Sequence, residues 1–315
     1  MTWFILSILA MVCWSGSDFF SKIGSRPDDK YSHWKMVMAV GLVMGLPAAY
    51  EIFVGGVVIS WQIILAYLPA SALYILSMVF GYVSLRYIEL SISSPICNTS
   101  GALAALLCVF FLGQEISGVV IGAIILIGIS IVGLGIVEMK EDEKSRILRQ
   151  SNAVVKYSKS FLALLLPILY CLIDAAGTFV DTLILREEPT GTFFDKVFVN
   201  TLPEDSANVA YELTFLLMGI VAAIYVLGVR REKLFVKRDG SKLLGGVCET
   251  AGQFAYIFAL GDTAHAAPAA AIISAYCVLS SVWSTIFLKE RLSWKHYLTI
   301  GGAICGIVIL GFFDV

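Results

Sequence analysis

The sequence predicts an all-α integral membrane protein: ten transmembrane helices arranged as two inverted five-helix repeats. Three observations predict it. Of the 315 residues, 58% are hydrophobic and only 15% are charged, against about 25% charged in an average soluble domain. Mean hydropathy is +0.86, and the few charges are clumped, so they cannot wet the surface of a soluble chain of this size. Finally, motifs in the first half recur in the second, with Glu115 falling on Glu290.

The spans follow in order. A spanning helix needs about 20 apolar residues, and stretches of that kind lie at 2–22, 34–54, 60–83, 91–112, 116–138, 160–185, 207–229, 243–261, 266–288 and 294–313. The first begins Met1-Thr2-Trp3-Phe4 with no basic leader and runs past signal-peptide length, so it reads as a retained span. Gly113-Gln114-Glu115 separates spans four and five, and a similarly short stretch around Asp262 and His265 separates eight and nine. Two longer polar breaks organise the rest. Residues 1–138 form a first five-helix repeat, 139–159 a polar linker, and 160–315 a second repeat carrying an acidic insert at 186–206.

The repeat shows at a constant offset. Ser84-Leu85 falls on Ala259-Leu260, and Phe111-Leu112-Gly113-Gln114-Glu115-Ile116-Ser117 parallels Phe287-Leu288-Lys289-Glu290-Arg291-Leu292-Ser293 with a one-residue slip. Each match precedes a span rich in Gly and Ile. Five is odd, so the halves face opposite ways across the membrane, with a site expected between them near the midplane.

On these residues the chain resembles the EamA-type transporters of the drug/metabolite transporter superfamily. The resemblance rests on Trp14-Ser15-Gly16-Ser17-Asp18-Phe19-Phe20-Ser21-Lys22 in the first span, on Ser84-Leu85-Arg86-Tyr87 echoed by Ala259-Leu260-Gly261, and on Glu115 and Glu290. It covers nearly the whole chain and implies a secondary transporter of a small metabolite. The superfamily carries amino acids, amines and nucleotide-type compounds, so the resemblance leaves the solute open. The 186–206 insert departs from the compact family pattern. The resemblance allows a monomer, because both halves are fused.

Charge sets the expected orientation. Of the 22 Lys and Arg, only Arg186 and Lys196 fall on one side of these spans; all others fall on the opposite side. The positive-inside rule puts the basic loops in the cytoplasm and both termini outside, whereas family members usually keep their termini cytoplasmic. Loop economy points to a bacterial plasma membrane.

Acids at membrane depth are the candidate functional groups, because an ionised carboxylate is costly there. Asp174 lies near the middle of span six, sharing a face with Thr178 and Asp181. Glu249 lies in span eight with Gln253 and Tyr256 on its face, and Asp18 lies late in span one. Asp18 has a second reading, a local pair with Lys22 four residues on. Asp181 and Glu212 lie close enough to span ends to be wet, and Glu115 and Glu290 suit helix capping. Trp14, Tyr170 and Tyr256 share spans with the acids and can stack on a cationic amine. Asn98 follows Pro95, where a proline frees backbone carbonyls or kinks the span; Pro268 matches it in span nine. Trp3, Trp34, Trp61 and Trp294 at span starts read as interface anchors.

Other classes are poorly supported. Three histidines (His33, His265, His296) make no metal or nucleophile constellation, no phosphate-binding glycine loop is present, and no cofactor motif appears, so the chain does not read as an enzyme. The seven cysteines lie in apolar segments without a CxxC pair and suggest neither disulfides nor zinc. Net charge is −2, with no aromatic-basic platform for nucleic acid. The expected function is secondary transport of an amine or amino-acid-like metabolite by alternating access, with a carboxylate available for proton coupling. The alternative is a non-transporting sensor or assembly subunit on the same fold, with the insert as a partner surface. The expected partners are the solute and the lipid bilayer.

Overall fold

The computed structural model describes residues 2–26, 28–113, 117–153, 161–186, 189–260, 269, 272–273, 275 and 276–313. They are mostly helical, with no strand among the described residues. The helices are α1 (Thr2–Gly24), α2 (Ser32–Phe53), α3 (Trp61–Ser84), α4 (Leu90–Cys97), α5 (Ser100–Leu112), α6 (Gly118–Lys140), α7 (Glu143–Arg149), α8 (Phe161–Leu185), α9 (Phe194–Val197), α10 (Glu204–Ala223, continued as a π-helix Ile224–Val229), α11 (Val236–Leu260), α12 (Tyr276–Trp283, continued as a π-helix Ser284–Leu288) and α13 (Trp294–Phe313).

Among the described residues, seven rods are long and apolar enough to cross a membrane: Thr2–Gly24, Ser32–Phe53, Trp61–Ser84, Leu90–Leu112, Gly118–Val137, Ala163–Leu185 and Glu204–Val229. Tyr276–Leu288 is a shorter apolar rod. The protein is therefore a multi-pass helical membrane protein. Large apolar side chains such as Ile5, Leu46, Phe110, Ile129 and Val132 stand exposed on the outer faces, as lipid contact requires. Trp61 and Trp294 are exposed at helix starts, in keeping with interface anchoring, while Trp3 and Trp34 pack inward instead. The span Leu90–Leu112 breaks at Asn98 and Thr99, three residues past Pro95, whose missing N–H deprives the Ser91 carbonyl of its intrahelical donor.

The packing pairs every long helix before residue 140 with one after 160: α1 with α11, α2 with α10, α3 with α8, and α6 with α13. Close approach explains the pairs. Without a hydrophobic drive between helices in lipid, small residues let backbones meet. α1 buries Ser7, Ala10, Ser17, Ser21 and Gly24 along one stripe. α2 and α10 touch backbone to backbone at Gly41 and Gly219, where a Cβ on Gly219 would stand 2.9 Å from the Gly41 Cα.

The basic loops gather at one end of the bundle and are knitted across it. Lys35, wholly buried, sits 3.2 Å from Asp29 and 3.3 Å from Glu232; Lys242 reaches Asp239 at 2.7 Å and Asp29 at 3.5 Å. The polar 139–159 stretch is described as far as residue 153. It contains α7, and Arg149 from its last turn holds Glu141 through two bonds (3.0 and 2.9 Å) and Glu89 at 2.9 Å. Burial alone would raise the Glu89 carboxyl, but Arg149, its own backbone N–H and Gln150 hold it below the usual glutamate range. In the insert at the opposite end, Phe194 of α9 packs against Phe111 and Phe179, and Asp195 closes a turn on Thr190 and Gly191.

Candidate functional site

Two helix pairs build the middle of the bundle. Along α3 and α8 the antiparallel register is read from Tyr67 on Asp181 (2.7 Å), Tyr74 on Thr178 (3.3 Å), Ser77 on Asp174 (3.0 Å) and Tyr170 seated over Gly81. Along α1 and α11 it is read from Trp14 over Gly252, Ser17 on Glu249 and Ser21 against Gly245. The i, i+4, i+7 spacing of Asp174, Thr178 and Asp181 keeps all three on one face of α8, and that face meets the hydroxyls of α3.

The three sequence-predicted acids converge. Asp18 accepts hydrogen bonds from Ser94 of α4 and, at 2.8 Å, from Ser280 of α12. Asp174 accepts from Ser77 and Ser100. Glu249 accepts from Ser17 and lies within electrostatic range of both Asp18 and Asp174. All three keep a partly exposed side chain although they lie deep along their helices. None of the three is ion-paired with a Lys, Arg or His among the described residues. The local pair between Asp18 and Lys22 is not made. Lys22 Nζ instead donates to the Leu85 carbonyl at 2.6 Å and to the Ile88 carbonyl, because Lys22 faces the loop that ends α3.

Aromatic rings surround the acids. Trp14 stands 5.2 Å from Tyr256 and 5.8 Å from Tyr276, ring centre to ring centre. Tyr170 lies within range of Asp174, Glu249 and Cys97, and Tyr276 within range of Asp18 and Glu249. Tyr256 faces outward toward Asp181 and Glu204 rather than the central acids. Gln253 is partly exposed one turn along α11 from Glu249. Asn98 hydrogen-bonds the Cys277 sulfur at the break between α4 and α5, beside the site rather than on an acid.

Sequence reasoning missed several groups. Tyr82 and Tyr211 lie within electrostatic range of Glu249, and Ser77, Ser94, Ser100 and Ser280 supply the hydroxyls. A polar stripe in an apolar span was their one available signal. Glu212 is corrected: it is 6% exposed, not wet, because α10 begins at Glu204 and carries it two turns inside. Among the described residues none of the seven cysteines forms a disulfide, and Cys305 is exposed. Glu115, Asp262, His265 and Pro268 lie outside the described residues.

Between the acids and the basic loops the bundle is shut. Glu290, 3% exposed, accepts from the Leu90 N–H (3.3 Å), the Ser91 N–H (3.2 Å) and the Ser91 hydroxyl (2.7 Å). The capping expected of Glu290 is therefore made on α4, from the other end of the sequence, where a carboxylate suits the positive end of the helix dipole. Ser91 also meets Ser284 at 2.9 Å. Ser84, Leu85, Leu90 and Ser93 around it are all buried. The three carboxylates thus sit among hydroxyl donors and aromatic rings, with the buried Glu290 contact between them and the basic loops.

A sequence search of the curated proteins matches none of them. The model of the EamA-like transporter family matches residues 1–136 and 189–312, most of the chain. The chain therefore belongs to the EamA-like transporter family, within the drug/metabolite transporter superfamily.

Proposed function

We propose that this protein is a secondary transporter of a small metabolite bearing a cationic amine, an amine or an amino-acid-like compound, working by alternating access. One observation carries the reading: carboxylates from α1, α8 and α11 converge on a partly exposed interior with hydroxyl donors and, among the described residues, no cationic partner. Holding unpaired carboxylates at membrane depth is costly, and a bound cation offsets that cost while the ringed aromatics add cation–π attraction. Each carboxylate can also take a proton when the solute leaves, which would couple transport to a proton gradient.

The moving parts are read as two inverted five-helix halves, 1–138 and 160–315, joined by 139–159. All four long-helix pairs running between the halves support this, as does the exchange symmetry of the set: swapping halves turns α1 on α11 into α8 on α3. In this account Glu290 on α4 and Lys22 on the Leu85 and Ile88 carbonyls form a gate toward the basic end, which faces the cytoplasm of a bacterial cell. The solute then enters from the opposite side, and the protein works as a monomer in the bilayer.

The test is a thermal-shift panel on purified protein with cationic amines, zwitterionic amino acids, nucleosides and organic anions. A ligand that binds only the folded state stabilises by mass action. Stabilisation by amines or amino acids that is lost in Asp174→Asn supports the reading. Stabilisation only by anions or nucleosides, or none by any class, contradicts it.

A further inference from the structure

The acids form a ladder rather than a single site. From the centre toward the end away from the basic loops, α8 presents Asp174, Thr178 and Asp181, and Glu204 stands exposed at the start of α10. Seven residues separate Asp174 from Asp181, a rise of about 10 Å along the helix. Tyr74 bridges the interval, with its hydroxyl on Thr178 and within electrostatic range of both Asp174 and Asp181. Tyr67 donates to Asp181 at 2.7 Å, and Tyr211 packs edge-on against both Tyr67 and Tyr74. Asp181 is partly exposed and is not ion-paired among the described residues. Arg186, five residues on, is turned into the insert, on the Leu183 and Phe198 carbonyls and on Asp195 at 3.3 Å.

Two further side chains point to a ligand. Tyr82 is 7% exposed, its hydroxyl has no hydrogen-bond partner, and it lies within electrostatic range of Glu249 and Asp18. Ser71, wholly buried, also has an unpartnered hydroxyl and lies on α3 one turn from both Tyr67 and Tyr74. A buried hydroxyl without a partner is costly.

We propose that the site takes a linear dication, an aliphatic diamine or triamine, with one ammonium on the central acids Asp18, Asp174 and Glu249 and the second on Asp181 about 10 Å away. This rests on the reading of the centre as a cation site. Thr178 and the Tyr67 and Tyr74 rings line the alkyl stretch between the two charges. Glu204 at the mouth concentrates cations before they enter.

The experiment is a calorimetric titration of the purified full chain with propylamine, ethylenediamine, putrescine, cadaverine and spermidine. A second anchored charge acts at high effective concentration. The expected result is binding of propylamine and ethylenediamine at similar strength, and binding roughly tenfold or more tighter for cadaverine or spermidine. In Asp181→Asn that ratio should fall to near one. The length series on the wild-type chain carries the test even where the variant fails to fold. Long diamines that bind no tighter than propylamine overturn the inference and leave the central cation site standing. Absence of binding by every amine overturns the central reading itself. An Asp181→Asn protein that folds and keeps the full long-diamine advantage also overturns the inference, by taking Asp181 out of it.

Discussion

Replacing Glu290 with Gln should open the basic end. The carboxylate takes two backbone N–H groups and one hydroxyl at the start of α4, and it is almost wholly buried. A net contribution of roughly 1.5–3 kcal/mol is typical of hydrogen bonds to charged groups, and a helix-terminal charge in a partly buried place adds up to about 2 kcal/mol. Gln keeps one acceptor but loses the charge and sets an NH2 group among N–H donors. A loss of about 2 kcal/mol from the closed state is a reasonable net figure, or a factor of about 30 in the closed-to-open ratio. The assay is hydrogen exchange by mass spectrometry on the peptide covering Leu85 to Cys97. Exchange there should rise about 30-fold, while peptides from α6 and α13 should stay as they were. The milder Ser91→Ala leaves both backbone N–H bonds to Glu290 and removes the hydroxyl contacts to Glu290 at 2.7 Å and to Ser284 at 2.9 Å; it should cost about 1 kcal/mol. A change under about threefold in Glu290→Gln, or equal acceleration in α6 and α13, would refute the gate.

Three shorter predictions follow from the same contacts. Gly41→Ala places a methyl within 2.7 Å of the Gly219 Cα, a backbone that cannot yield; overpacking of that kind costs about 1–3 kcal/mol, read as a lower melting temperature. Gly45→Ala meets only the flexible Leu216 side chain and should lower it less. Glu89 is held below its ordinary range, so its contribution is present above that range and lost as pH falls through its folded value. The melting difference between wild type and Glu89→Gln should therefore be full near neutral pH, shrink as pH falls below the ordinary glutamate range, and vanish only once pH has fallen through the lower folded value; a difference that does not shrink on acidification contradicts the assignment. Arg149→Lys keeps the charge but loses the two-bond hold on Glu141 with the further bond to Glu89, and should recover less than half the stability lost in Arg149→Ala.

The helices were legible because apolar runs of spanning length leave little else for them to be. The boundaries of α1, α2, α3 and α8 fall within about two residues of the sequence reading. The acids were legible for a similar reason: Asp174 and Glu249 interrupt apolar runs well away from the span ends, and depth marks them. What surrounds them was not. Ser280 reaches Asp18 across 262 positions, and Glu290 reaches Ser91 across 199; no local pattern encodes a contact between helices that only the bundle brings together. Lys22 shows the cost of local reasoning. Its spacing from Asp18 suggested a pair, but the end of α3 supplies two carbonyls on the side Lys22 faces. Tyr82 was invisible because aromatic residues are plentiful at 12%, and only its unpartnered hydroxyl beside two carboxylates distinguishes it. Glu212 misled because a residue near the edge of an apolar run was taken as a residue near water.

Uptake of a radiolabelled amine into proteoliposomes tests the central claim most directly, with wild type, Asp174→Asn and Glu249→Gln compared at matched reconstitution. The account expects saturable uptake by wild type and its loss in both variants, each still eluting as a folded species. Saturable amine uptake that survives both substitutions, or its absence from wild type across amines and amino acids alike, would contradict it.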